Sequence, residues 1–129
     1  WGTWDRLPLI TAEIEPQLSA AIMEKCKELS CEPLAIGGIG DHVHLLVRLH
    51  PTVAVAELVK GVKGSSSHFV THEVMPEQFF KWQGSYSAYT FRKSEVPHLT
   101  AYIQDQVKHH QQATIIPEWE ESRSDDETE

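Results

Sequence analysis

The sequence predicts an α+β domain, an antiparallel sheet with helices on one face. Residues 40–49 (GDHVHLLVRL) alternate with the two-residue period of a half-buried strand. Residues 12–30 and 53–73 instead repeat their apolar side chains at the spacing of an amphipathic helix. Around these anchors the segments change type in the order β-α-β-β-α-β-α. The first six match a split βαβ, ferredoxin-like arrangement. A sheet covered on one face leaves its other face open to chemistry or to a ligand.

Trp1–Asp5 reads as the end of a strand, and Arg6–Thr11, with Pro8 inside it, as a loop. The 12–30 helix sets Ile14, Leu18, Ala21, Ile22, Cys26 and Leu29 on one stripe. Leu34–Ile39 is a short apolar run closed by Gly37, Gly38 and Gly40, consistent with a strand and a tight turn. In the strand His42–Leu49, Val43, Leu45, Val47 and Leu49 form an apolar core face, and His42, His44, Leu46 and Arg48 share the other. Pro51 stops it. Residues 53–73 are helical by the spacing of Val55, Leu58, Val59, Val62, Phe69 and Val70, weakened by Gly61, Gly64 and Ser65–Ser67. Pro76 ends that region. After a turn at Trp82–Gly84, residues 85–92 (SYSAYTFR) have the composition of a strand. Ser94 is placed to cap a helix over 95–111, with Val96, Leu99, Ile103 and Val107 as its apolar stripe.

At 129 residues and 40% hydrophobic content the chain makes one domain with a modest core. No apolar run approaches the ~18–20 residues of a membrane span, so a soluble, cytoplasmic protein is expected. The chain opens at Trp1 without Met or a signal-peptide pattern, and an N-terminal stretch is expected to be missing. Cys26 and Cys31 suit reduced thiols, and neither sits in a CxxC. The formal charge of −8 argues at first against a nucleic-acid partner. It is unevenly spread. Residues 118–129 carry a net −6 and read as a disordered acidic tail, which leaves −2 on residues 1–117, the folded domain.

His42 and His44 lie two apart on one strand face, which makes half of a metal site. Taken alone, they read equally as two exposed strand histidines. On the last helix Tyr102 and Gln106 are four apart and share a face with His98, Asp105 and His109. That face lies beside the apolar stripe, so a helix docked by the stripe keeps Tyr102 and Gln106 at the edge of the contact, facing a groove. The plainer reading of Tyr102 is an amphipathic residue at a helix–core boundary.

Four segments in order (GDHVHLLVRL, VKGVKGSSSHF, WQGSYSAYTFRKS and AYIQDQVKHH) resemble the HUH-type single-tyrosine transposases of small bacterial insertion sequences, the IS-two-hundred-like kind. The similarity runs from about Trp1 to His110. It implies a ferredoxin-like domain, a homodimer with composite active sites, that cuts and rejoins single-stranded DNA beside a hairpin. It places His42, His44 and Gln106 as ligands of Mg²⁺ or Mn²⁺, and Tyr102 as the nucleophile. Lys60, Lys63, Arg92 and Lys93 are candidates for DNA phosphates, or are solubilising charge. Trp82, Tyr86 and Tyr89 could stack on bases or pack inside. Ser65–Ser67 could donate to phosphate or fray. Asp41 could orient His42 or make a turn. His98 and His109 could assist proton transfer. The rival readings are a domesticated, non-catalytic nucleic-acid-binding module on the same fold and a phosphodiesterase that uses water as nucleophile.

Overall fold

The structure, a computed structural model, describes residues 1–105. Gln106, Val107, His109, the remainder of the helix expected over 95–111 and the expected acidic tail lie outside the described residues.

Helix α1 (Glu15–Glu28) takes Pro16 in its first turn, where the missing N–H costs nothing. Ahead of it the Thr11 hydroxyl accepts the Ile14 N–H at 3.2 Å. The helix ends as Ser30 turns into the left-handed region at φ 62°. That turn brings the Cys31 N–H back to the Cys26 carbonyl at 2.8 Å. Leu18, Ile22 and Cys26, each four residues on, form its buried face. Helix α2 (Val55–Phe69) buries Leu58, Val62 and Ser66 in the same rhythm and runs on into one wider turn, Val70–Val74.

Strands β1 (Glu32–Ile39) and β2 (His42–Arg48) form an antiparallel hairpin, with Ile39 opposite His42 and Gly37 opposite His44. The register slips once, between Pro33 and Ala35, where Pro33 has no N–H to give the ladder. Gly40 turns the hairpin at φ 50°. Outside it, single antiparallel bridges join Gly2 to His42, Thr3 to Trp82 and Ile10 to Gly40. The expected N-terminal strand is therefore two bridge residues. Asp5 and Arg6 then leave extended geometry at φ 54° and 52°.

Residues 85–92 make no ladder with a described strand. Strand-like composition does not choose a partner. Ser94 does not cap either. It lies inside a short turn (Lys93–Glu95) that precedes helix α3 (Val96–Gln104), and there the Arg92 N–H donates to the Glu95 carboxylate at 2.9 Å.

The hairpin has two covered faces. Val43, Leu45, Val47 and Ile36 pack into the main core, which α1 and α2 share. Leu49, assigned to that face, is 36% exposed beyond the end of β2. On the opposite face Ala35 and Leu46 receive Tyr102 and Ile103 of α3. Trp82 is buried, edge-on to Trp1 at 5.6 Å and to Phe80 at 4.9 Å between ring centres. Among the described residues no helix is long and apolar enough to cross a membrane.

Candidate active site

Strand β2 sets His42 and His44 on one face, two residues apart, so their rings become neighbours by the pleat alone. Their centres lie 5.1 Å apart with planes at 83°. His42 is buried at 6% exposure. Its Nδ1 lies 2.8 Å from an oxygen of Asp41, which also takes the Arg6 guanidinium at 3.4 Å. Burial pushes the Asp41 carboxyl up, but the hydrogen bonds to His42 and Arg6 and the charge of Arg6 outweigh it and hold the group below its ordinary value. An ionised carboxylate only accepts, so the proton between them sits on His42 Nδ1, and Nε2 is the acceptor nitrogen of the neutral ring. Asp41, read from the sequence as either a turn residue or an orienting one, sits in the hairpin turn and also makes this contact. Arg6, its second partner, was not foreseen. Nothing local to DRLP points at residue 41.

Helix α3 brings Tyr102 to the same place. Its ring centre is 6.1 Å from that of His44, at 72°. Three rings thus run His42, His44, Tyr102 in one chain. Tyr102 is not at the edge of the helix contact as its spacing suggested. It is 4% exposed, inside a small cluster with Ala35, Ile103 and Leu46. The cause is on the facing strand. Ala35 is small and Gly37 has no side chain at all. A Cβ at Gly37 would overlap the Ile103 carbonyl oxygen and come within 3.1 Å of the Ile103 Cγ2. The helix therefore seats deeply and takes the phenol in with it. The register of Gly37 against His44 was the signal, and it is not written in the sequence alone.

The ring-centre separation of the two imidazoles matches the spacing of two rings on one divalent cation. Metal–nitrogen bonds of about 2.1 Å place two ligating rings in neighbouring positions with their centres about 5 Å apart, as His42 and His44 are. Neutral nitrogen donors leave a cation's charge available to a phosphate. Among the described residues no group of three or more His, Cys, Asp or Glu could hold a metal. Further ligands would have to be of another kind, and Gln106 lies outside the described residues.

The basic residues are dispersed. Lys63 donates its ammonium to the carbonyls of Gln83 and Ser85, and so brackets that segment. Lys60 lines an open groove between α1 and α2, with Lys25 and His68, on the side of the sheet away from the histidines. Arg92 and Lys93 are exposed at the short turn that precedes α3, the helix that carries Tyr102. Ser66 turns inward, donating to the Val62 carbonyl at 2.6 Å and accepting the Trp82 indole N–H at 3.0 Å. Tyr86 and Tyr89 are exposed at 37% and 49%. His98 is exposed on α3.

Comparison with known proteins identifies the family. The family described as "Transposase IS200 like" matches residues 1–106. The chain is similar to the ISDra2 transposase TnpA of Deinococcus radiodurans, 25% identical over 111 residues that cover 82% of this chain and 79% of that one. It shares its fold with a crystal structure from Deinococcus radiodurans R1, described provisionally as a transposase. The TM-score is 0.63 and the identity 24%, over 82% of this chain and 85% of that one.

Proposed function

This chain belongs to the IS200-like transposase family, and from that premise we propose that it cuts and rejoins single-stranded DNA at hairpin-bearing element ends through a phosphotyrosine on Tyr102. The observation that carries the reading is the row of His42, His44 and Tyr102 in one chain, at 5.1 and 6.1 Å between ring centres. A binding module has no need for a phenol beside two imidazoles.

The Tyr102 oxygen attacks the scissile phosphorus. The bond from phosphorus to the DNA 3′-oxygen breaks, the phenolic proton passes to solvent, and the leaving oxygen takes one up. The 5′ end stays on the tyrosine, and a later 3′-OH reverses the step without ATP. A phenol with pKa ~10 is a weak nucleophile at neutral pH. His42 and His44, with Gln106 of the undescribed segment, are the residues to hold Mg²⁺ or Mn²⁺. Such an ion, when bound, neutralises the phosphate and stabilises the leaving oxygen. Asp41 and Arg6 keep His42 in the ligating tautomer. Because Tyr102 is 4% exposed, entry of a strand requires α3 to loosen from Ala35 and Leu46.

Arg92 and Lys93, just ahead of the helix that carries Tyr102, are the phosphate contacts this arrangement favours, with exposed Tyr86 and Tyr89 as base platforms. Lys60 would meet DNA only on the far side, and Lys63 serves the fold. The order of bridges, Trp82 to Thr3, Gly2 to β2 and β2 to β1, supports a ferredoxin-like sheet. In a homodimer this geometry favours a tyrosine acting beside its own chain's histidines over one lent by the partner.

A labelled hairpin oligonucleotide with Mn²⁺ tests the reading. Wild type should form a covalent adduct and Tyr102→Phe should not. An adduct that survives Tyr102→Phe would end it.

A further inference from the structure

Gln83 is a carboxamide only 2% exposed, and the mechanism above leaves it unused. Its backbone N–H donates to the Gly2 carbonyl at 3.0 Å, one step along from the Thr3–Trp82 bridge. Gly2 in turn lies opposite His42. Directly opposed residues of an antiparallel sheet project from the same face. Gln83, Gly2 and His42 are therefore a row across the sheet, with a glycine in the middle.

At about 5 Å per strand, the outer two residues of such a row stand about 10 Å apart at Cα, and an ordinary residue between them would separate their side chains. Gly2 removes that barrier. A Cβ there would meet Gln83 Oε1 at 2.9 Å. The amide oxygen thus lies over Gly2, the residue opposite His42, where the Arg6 Cδ and the Asp41 carbonyl oxygen also approach to 3.3 Å. Lys63 fixes the backbone from which it reaches, through the carbonyls of Gln83 and Ser85.

We propose that Gln83 is a further member of the cation site, giving its amide oxygen to the divalent ion held by His42 and His44. This rests on the metal reading of the histidine pair. A neutral, hard oxygen suits Mg²⁺ and Mn²⁺ and adds no charge to offset the ion. It also gives the ion an anchor from the strand side that does not travel with α3, so that metal is retained when α3 loosens to admit DNA.

Mn²⁺ titration calorimetry on the full chain tests it, with wild type, Gln83→Met, Gln83→Glu, Gly2→Ala and a His42→Ala/His44→Ala double variant. Urea unfolding of each variant is followed in parallel. The double variant should lose binding. Gln83→Met and Gly2→Ala should weaken it about tenfold or more. Gln83→Glu, which keeps an oxygen in place, should bind at least as well as wild type even where its urea midpoint falls. Equal Mn²⁺ affinity in wild type, Gln83→Met and Gly2→Ala, with the double variant inactive in binding, would overturn the role of Gln83 and leave the histidine pair standing. No binding by wild type, or binding unaffected in the double variant, would overturn both. If Gln83→Met does not fold, Gly2→Ala and Gln83→Glu decide the matter by the same comparison.

Discussion

Gly37 and His44 face each other across the β1–β2 hairpin, and the bare backbone at 37 is what lets α3 close over His44. The same device occurs one row away, where Gly2 faces His42. Each histidine has a glycine as its cross-strand neighbour. One gap admits the backbone of α3 and the other the carboxamide of Gln83.

Gly37→Ala should push α3 outward, because the new methyl would overlap the Ile103 carbonyl oxygen. Overpacking of this kind costs about 1–3 kcal/mol. The specific effect is on Tyr102. In wild type, tetranitromethane should nitrate Tyr86 and Tyr89, which are exposed, and spare Tyr102 at 4% exposure. In Gly37→Ala, peptide mapping should find Tyr102 nitrated as well. A protected Tyr102 in the folded variant would show that Gly37 does not set the helix position.

Asp41→Ala should weaken Mn²⁺ binding about 10- to 100-fold, the usual cost of losing a partner that orients a ligating histidine. Arg6→Ala acts one contact further out, at 3.4 Å from Asp41, and should have the smaller effect. Calorimetric titration checks both. Unchanged affinity in Asp41→Ala would mean that His42 needs no orienting carboxylate.

Much of this was legible in the sequence, and the part that was not has a physical cause. Period found α1, α2 and β2, because each presents an apolar stripe to the main core, and a short apolar run closed by glycines found β1. The His42/His44 face followed from the pleat. Tyr102 was placed on the right helix but at the wrong depth. Its depth is set by Ala35 and Gly37 of a strand more than sixty residues away in the chain. The roles of Gly2, Gln83 and Arg6 depend likewise on cross-strand neighbours, which no local pattern records. Residues 85–92 misled because β-branched and aromatic content marks a segment that can be extended without saying what it pairs with. Trp82 and Ser66 read as possible nucleic-acid contacts, yet they satisfy one another inside the core.

Ser66→Ala should destabilise the fold by about 1–3 kcal/mol, since it strips the buried Trp82 indole N–H of its 3.0 Å acceptor. Urea unfolding followed by tryptophan fluorescence measures it. A loss well under 0.5 kcal/mol would indicate that the indole finds another acceptor.

Cys26 is fully buried, and burial first, then the neighbouring Cys31, push its thiol up from 9.0 to about 11. Below pH 9 both folded and unfolded chains hold this proton, and the contribution to stability is complete. Between pH 9 and 11 the unfolded chain gives it up and the folded one keeps it, so stability falls as pH rises. The full shift corresponds to about 2–3 kcal/mol at most. Wild type should therefore lose more stability than Cys26→Ala between pH 8 and pH 11 in guanidinium unfolding. Parallel losses would mean that other groups govern the alkaline limit.

The central claim, that Tyr102 acts at the His42/His44 pair, is tested most directly by mapping the covalent product. After reaction of the full chain with a hairpin oligonucleotide and Mn²⁺, nuclease trimming and proteolysis should leave a nucleotide on the peptide containing Tyr102. That mass should vanish in the His42→Ala/His44→Ala variant. A nucleotide found instead on Tyr86 or Tyr89, or one retained on Tyr102 without the two histidines, would contradict it.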